Sequence, residues 1–165
     1  MNNAKSVRDQ VLDALQKLLE GISATLPLND PYGVEFSRVF RDEPANWGGA
    51  KAFAYIASGQ EQKTELNYPV VDCRLTTSIE VNVLKVPNQT MAQTIGDHLT
   101  AVERALRENR NLSGLCVDIT PTGTDSTEQG LYKTYGAGVV HVTLWYRHST
   151  NDPRQTAGGE QWLAN

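Results

Sequence analysis

The residues able to do chemistry are few and scattered along the chain. His98, His141 and His148 are its three histidines, and none has a second histidine or a cysteine at a metal ligand's spacing. A zinc or iron centre needs three or four convergent ligands, so each histidine reads as a structural residue at the flank of an element. Cys73 and Cys116 belong to no Cys-x-x-Cys and have no base nearby in sequence, so a nucleophilic thiolate is not indicated. Asp42 with Glu43, and Asp72 with Glu80, are carboxylate pairs that general acid–base catalysis could use inside a cleft; a solvated strand face is the better account of them. Gly48-Gly49 and Gly136-Ala137-Gly138 lack the Gly-x-x-x-x-Gly-Lys spacing and the strand-to-helix setting of a phosphate loop. Arg104, Arg107 and Arg110 alternate with Glu103 and Glu108, the pattern of an ordinary helix surface. No catalytic group, cofactor or metal is expected from this inventory.

The chain has 165 residues, with 15 Lys and Arg against 19 Asp and Glu, a formal net charge of −4. One domain of this size buries roughly 70% of the surface its unfolded chain exposes, so no disulfide is needed to hold a core. The acidic balance speaks against a dedicated nucleic-acid binder, which usually carries a basic domain. The longest unbroken apolar run is Ala52 to Ala57, far short of the roughly 20 residues that span a bilayer. Met1 to Ser6 has no apolar core of a secretory signal, so none is expected.

Two helices and several strands would have to position any site. Val7, Val11, Leu15, Leu18, Leu19 and Ile22 recur on one helical face, and Ser6 with Asp9 opens that helix with a capping pattern. Met91, Ile95, Leu99, Val102 and Leu106 mark a second helix, capped by Thr90 and Gln93. Strands are predicted at Val34 to Phe40 and at Ala52 to Ala57. From Val71 to Val83 the period is two throughout, with Val71, Cys73, Leu75, Thr77, Ile79, Val81 and Val83 on one face. At ~3.3 Å per residue that strand would reach roughly 43 Å, so it must bend, bulge or run past its own core. Leu115 to Thr120 and Val139 to Arg147 complete the pattern, joined by a polar loop from Pro121 to Gly136. The fold class is α/β of the α+β kind: a mixed, mostly antiparallel sheet with two main helices on one face. A single domain covers residues 1–153, and 154–165 form a polar tail.

Large aromatics stand in segments that a lone subunit would leave exposed: Trp47 in the first long loop, Tyr68 before the long strand, Tyr132 and Tyr135 in the second loop, Trp162 in the tail. Trp and Tyr anchor interfaces because they bury much area at small entropic cost. Each could instead fold back on its own domain. The combination with an overlong, two-faced strand points to a protein whose surface is completed by neighbours.

The layout resembles a known family. Leu18-Leu19-Glu20-Gly21-Ile22 ends the first helix, Tyr68-Pro69-Val70-Val71 leads into the long strand, and the second helix runs from Met91 to Arg107. Leu112-Ser113-Gly114-Leu115, then Val139 to Arg147, then Asp152-Pro153, complete the likeness. Over residues 4–153 this resembles the tail terminator proteins of long-tailed bacteriophages, the minor tail protein U type. The resemblance implies a ring-forming subunit, commonly six copies, seated in the virion at the tail–neck junction after assembly in the host cytoplasm. Its implied partners are other copies of itself, the tail tube protein and a head–tail connector protein, with no membrane involved. The long strand and the segments 41–50, 58–68 and 121–137 would make the ring-to-ring and subunit-to-subunit contacts. Genome DNA would pass through the lumen without being gripped, beside acids such as Glu61 and Glu65.

Two rival readings stay open. A head completion or connector protein would share the ring habit on the portal side. A small cytosolic α/β enzyme or ligand-binding domain would instead hold a closed apolar cavity near Cys116, Asp118 and His141.

Overall fold

The computed structural model describes residues 4–127 and 135–157. Among the described residues there are two α-helices, a short 3-10 helix at Leu112–Gly114 and a six-stranded mixed sheet. Helix α1 spans Val7–Glu20 and α2 spans Met91–Glu108. Both begin where the sequence placed their caps: Ser6 Oγ accepts the Asp9 amide at 3.1 Å, and Thr90 and Gln93 form a reciprocal capping box.

The strands are β1 (Arg38–Arg41), β2 (Ala52–Ile56), β3 (Gln60–Glu65), β4 (Val70–Val83), β5 (Asp118–Thr127) and β6 (Gly136–Ser149). Their order is β1-β2-β4-β6-β5, with β3 also on β4. All pairs are antiparallel except β1 with β2. The long strand neither bends out of the sheet nor breaks. It pairs with β6 over all 14 residues, from Val70 opposite Ser149 to Val83 opposite Gly136. On its other side β2 covers one half and β3 the other. Between them residues 57–59 stand against Thr77 and Ser78, so the extra residue forms a bulge in the partner strand.

Three sequence expectations change here. The strand at Val34 to Phe40 shrinks to Arg38–Arg41, because only that stretch lies beside β2. The segment 58–68, expected to be a contact loop, contains β3. The segment 121–137 likewise gives up residues 121–127 to β5 and 136–137 to β6. Both additions are polar edge strands, held by the backbone ladder of a long neighbour and by no apolar face of their own. Pro121 fits there, since an edge position does not need its missing N–H.

Alternation sorts the sheet's faces. Val71, Cys73, Leu75, Thr77, Ile79, Val81 and Val83 of β4, with Val140, Val142, Leu144 and Tyr146 of β6, are buried toward the helices. They meet Val7, Val11, Leu15 and Leu19 of α1 and Ile95, Leu99, Val102 and Leu106 of α2. Gly136 and Gly138 let α2 approach β6 closely. A Cβ on Gly138 would lie 2.8 Å from Leu99 Cδ2, and one on Gly136 would lie 2.5 Å from Met91 Sδ. The Gly-Ala-Gly run is therefore a helix seat.

Candidate interaction surface

Because β1 and β2 are parallel, the connection 42–51 must travel back across one face of the sheet. It crosses the side away from the helices. Gly48 and Gly49, at φ +63° and +70°, supply the left-handed backbone that turns this loop. Beneath it Phe53 and Tyr55 are buried in a second small cluster with Tyr135, against Trp47 and Phe40. Trp47 stacks on Phe53 with ring centres 5.9 Å apart, and Tyr135 meets Phe53 edge-on at 5.6 Å. The Trp47 indole N–H donates to Tyr135 Oη at 3.1 Å.

Two of the aromatics expected to anchor a partner are thus brought together inside the subunit. Tyr135 is only 4% exposed, which corrects the expectation that it stands free. Tyr68 does stand out from the β3–β4 turn, 75% exposed, with Leu66 beside it; its Oη accepts from Asn151 Nδ2 at 2.8 Å. Tyr132 and Trp162 lie outside the described residues. Leu26 and Leu28 are exposed in the loop after α1, a feature that sequence reasoning missed. That loop is held by Arg104, which donates to the Asp30 carbonyl at 2.8 Å and lies over the Tyr32 ring at 4.7 Å.

The rest of the helix-free face is a polar lattice built by the β4–β6 register. Asp72 stands opposite Arg147, and Arg74 opposite Trp145. Asp72 Oδ1 accepts the Trp145 indole N–H and the Arg147 Nε–H, each at 2.6 Å, and its side chain is only 12% exposed. The Arg74 guanidinium covers the Trp145 ring at 4.0 Å and Arg147 approaches it at 5.3 Å. Such cation–π and ion-pair contacts hold the arginines in fixed positions. Farther along, Tyr55 Oη donates to Glu80, and His141 Nε2 lies 2.8 Å from Asp125 Oδ2. At the edge, Arg110 grips Asp118 through two bonds of 2.7 and 2.9 Å. Those bonds hold the Asp118 carboxyl below the usual range.

Glu61 and Glu65 project from β3 on the helix side, opposite Leu75 and Val71. They differ in what they are free to do. Glu61 accepts the phenol of the buried Tyr146 and pairs with Lys63 at 3.1 Å, leaving its side chain 11% exposed. Within the subunit that engagement leaves little of the Glu61 carboxylate open. Glu65 is exposed.

Cys116, Asp118 and His141 do not form one site. Cys116 is buried, where loss of water, with a smaller push from Asp118, drives its thiol up to about 12. Asp118 is held by Arg110, and His141 faces Asp125 four residues along β6 from Asp118's partner Trp145, a separation of roughly 13 Å. Cys73 is buried as the alternation required, its thiol pushed up to about 11, chiefly by burial. Among the described residues no group of three His, Cys, Asp or Glu side chains could hold a metal ion, and no helix is long and apolar enough to cross a membrane.

No protein-family model matches the sequence, and no curated protein matches it. Among solved structures the chain is similar to one from "Virion of native gene transfer agent (GTA) particle". The match covers 85% of this chain and 90% of that one, at 11% identity and a TM-score of 0.48; it assigns no role to any residue.

Proposed function

We propose that this protein is a tail terminator, a subunit that closes into a ring on the last ring of a tail tube, halts its growth and presents the surface that joins the head. The observation that carries the reading is the helix-free face of the 14-residue β4–β6 pair, where Asp72, Arg74, Trp145 and Arg147 fix one another's positions. A set of charges locked before contact loses little freedom on docking and rejects surfaces of the wrong pattern. The order of segments from Leu18 to Pro153 supports the same reading through its resemblance to the minor tail protein U type. Six copies would close the ring, the tail tube protein would bind one side and a connector protein the other. Genome DNA would pass a lumen to which Glu65, and not the engaged Glu61, offers an unpaired-facing charge in the form of an exposed carboxylate.

A terminator works because a growing tube exposes the same adhesive face after each added ring, and the cap matches that face while turning a different one outward. No bond is made or broken. The test is to add the purified protein to polymerising tail tube protein and measure tube length by negative-stain electron microscopy. Shorter tubes carrying an annular cap at one end support the reading. Tubes of unchanged length, with the protein bound to a connector ring, would place it on the portal side instead. A monomer that neither associates nor alters the tubes would overturn the ring altogether.

A further inference from the structure

The strand order ends in β1 on one side and in β5 on the other, and the registers place parts of these two edges on the same rows. One row runs Arg38, Phe53, Asn82, Ala137, Thr127, and another runs Arg41, Ile56, Ile79, Val140, Thr124. Along these rows β1 and β5 run in opposite directions. A second copy turned about an axis close to the strand direction would therefore set its β1 antiparallel to β5 of the first. The rest of the β5 edge has no such counterpart. Level with Asp118–Thr120 the opposite edge is β3, which lies directly on β4 and so stands one strand spacing, ~4.8 Å, inside the line of β1. In that half Pro121 and the bulge at Thr122 blunt the β5 edge. From Thr124 to Thr127 the strand carries neither proline nor lysine. Beside β1 runs an open cleft of about 330 Å³, lined by Glu20, Phe36, Ser37, Arg38, Val39 and Phe40. Its lining includes β1 and leaves out β2, so it follows the outer edge of the sheet.

We infer that β5 of one copy, around Asp125, adds to β1 of the next copy in this cleft, so that the sheet continues from subunit to subunit. The inference rests on the ring reading above and names the contact between neighbours in that ring. In strand addition the main-chain bonds supply affinity and the side chains supply the fit, and one heterologous contact repeated by rotation closes a ring. The side chains sort by face. On the helix-free side Phe40 shares the row of Asp125, and Arg38 stands two rows on, a diagonal neighbour at ~7–8 Å that a guanidinium can reach. The Asp125 side chain is 77% exposed beside His141. On the helix side Val39 and Arg41 share rows with Ser126 and Thr124, and Arg41 is already held by Asp13 at 3.0 Å. The acids near β1 are turned elsewhere. Glu20 belongs to α1, on the face away from Asp125. Asp42 leaves the strand at φ +63° and is held by Ser58 at 2.6 Å, in a cleft against Arg8, Asp9 and Leu12 of α1. The loop 42–51 otherwise brings Glu43 and Lys51, one charge of each sign. The Val39 carbonyl accepts Gln16 Nε2 at 3.1 Å and keeps a second lone pair for an incoming amide.

Cross-linking between differently marked copies tests the joint. Within one copy Arg38 and Asp125 lie on strands four spacings apart, ~19 Å, whereas across the joint they are diagonal neighbours. Copies carrying Arg38→Cys are mixed with copies carrying Asp125→Cys and treated with a short bismaleimide, Cys73 and Cys116 being shielded by burial. Linked dimers are expected in the mixture and in neither sample alone. Arg38→Asp and Asp125→Arg should each weaken self-association about tenfold in sedimentation velocity, and the chain carrying both should regain it. A parent that forms rings, with no link in the mixture and with reversal variants that associate like the parent, would overturn the joint and leave the terminator reading standing. Links in the mixture, from a parent that leaves tail tubes unshortened, would support the joint and overturn the terminator. A parent that stays monomeric at every concentration, with or without tail tubes, would overturn both.

Discussion

Tyr135 donates its phenol to the Ala50 carbonyl at 2.6 Å while the same oxygen accepts the Trp47 indole N–H at 3.1 Å. One buried hydroxyl thus fastens the loop 42–51 to the start of β6, bridging residues far apart in the chain. Tyr135→Phe keeps the ring but leaves a carbonyl and an indole N–H without this partner. The expected loss is about 1–3 kcal/mol of stability, read as a lower urea midpoint with an unchanged slope.

Two glycines near each other in space should respond with opposite sign to the same substitution. In Gly138→Ala the new methyl would sit 2.8 Å from Leu99 and 2.9 Å from Ile95, so α2 must shift or strain; about 1–3 kcal/mol of destabilisation is expected. Gly96 lies on the exposed face of α2 and a Cβ there meets nothing within 4 Å. Gly96→Ala should therefore stabilise by about 0.5–1 kcal/mol, through helix propensity alone. Thermal or urea unfolding of the two single variants checks both signs.

The sequence made the buried half of this protein readable and the exposed half much less so. Alternation from Val71 to Val83 predicted the inward face of β4, and the apolar stripes predicted which sides of α1 and α2 are buried, because water drives those patterns directly. Gln60–Glu65 carries no such pattern. Its strand state comes from the ladder that β4 offers, a long-range cause invisible in a six-residue window. Ala52 to Ile56, by contrast, contained an overlooked signal: a strand apolar at every position needs cover on both faces. Trp47 and Tyr135 are part of that cover over Phe53 and Tyr55. The Asp72–Trp145–Arg147 cluster depends on the β4–β6 register, which no local feature of either segment fixes.

His98 gives the fold an acid weakness. Its ring is buried against Phe36, with centroids 5.5 Å apart, and Nδ1 donates to the Thr94 carbonyl at 2.8 Å. Burial holds its pKa below the ordinary 6.5, partly opposed by the backbone bonds to Thr94 and Glu35 and by the Asp97 charge. In the unfolded chain the imidazole takes up a proton as pH falls through 6.5, while the folded one resists. The unfolded state then binds more protons, so this contribution is complete above 6.5 and is lost as pH falls through the lower folded value. Urea midpoints should drop between about pH 7.5 and about pH 5, and the drop should be smaller in His98→Phe.

The thiols act at the alkaline end. Cys116 and Cys73 are pushed from 9.0 up to about 12 and about 11, with burial the largest cause for each. An unfolded thiol ionises near 9.0 and a folded one does not, so stability from these sites is full below that pH and falls as pH rises toward the folded values. Neither thiol should react with a disulfide reagent near neutral pH in the native protein, and both should react once urea unfolds it. Rapid native labelling at either position would contradict the burial described here.

Glu61 and Glu65 separate a fold effect from a channel effect. Glu61 receives the phenol of Tyr146, which is fully buried, and so ties β3 to β6 across β4. Glu61→Ala should cost about 1–3 kcal/mol by stranding that hydroxyl, and Glu61→Gln should restore most of the loss, since an amide oxygen can still accept. Glu61→Lys adds a cation beside Lys63 and removes the acceptor, so any failure of that variant would reflect damage to the subunit. Glu65 is exposed and Glu65→Lys should leave the unfolding midpoint within about 0.5 kcal/mol of the parent. If Glu65 faces a DNA channel, particles carrying Glu65→Lys should assemble with tubes of normal length yet eject their genome slowly. Normal ejection with a stable subunit would remove Glu65 from the lumen while leaving the capping role intact.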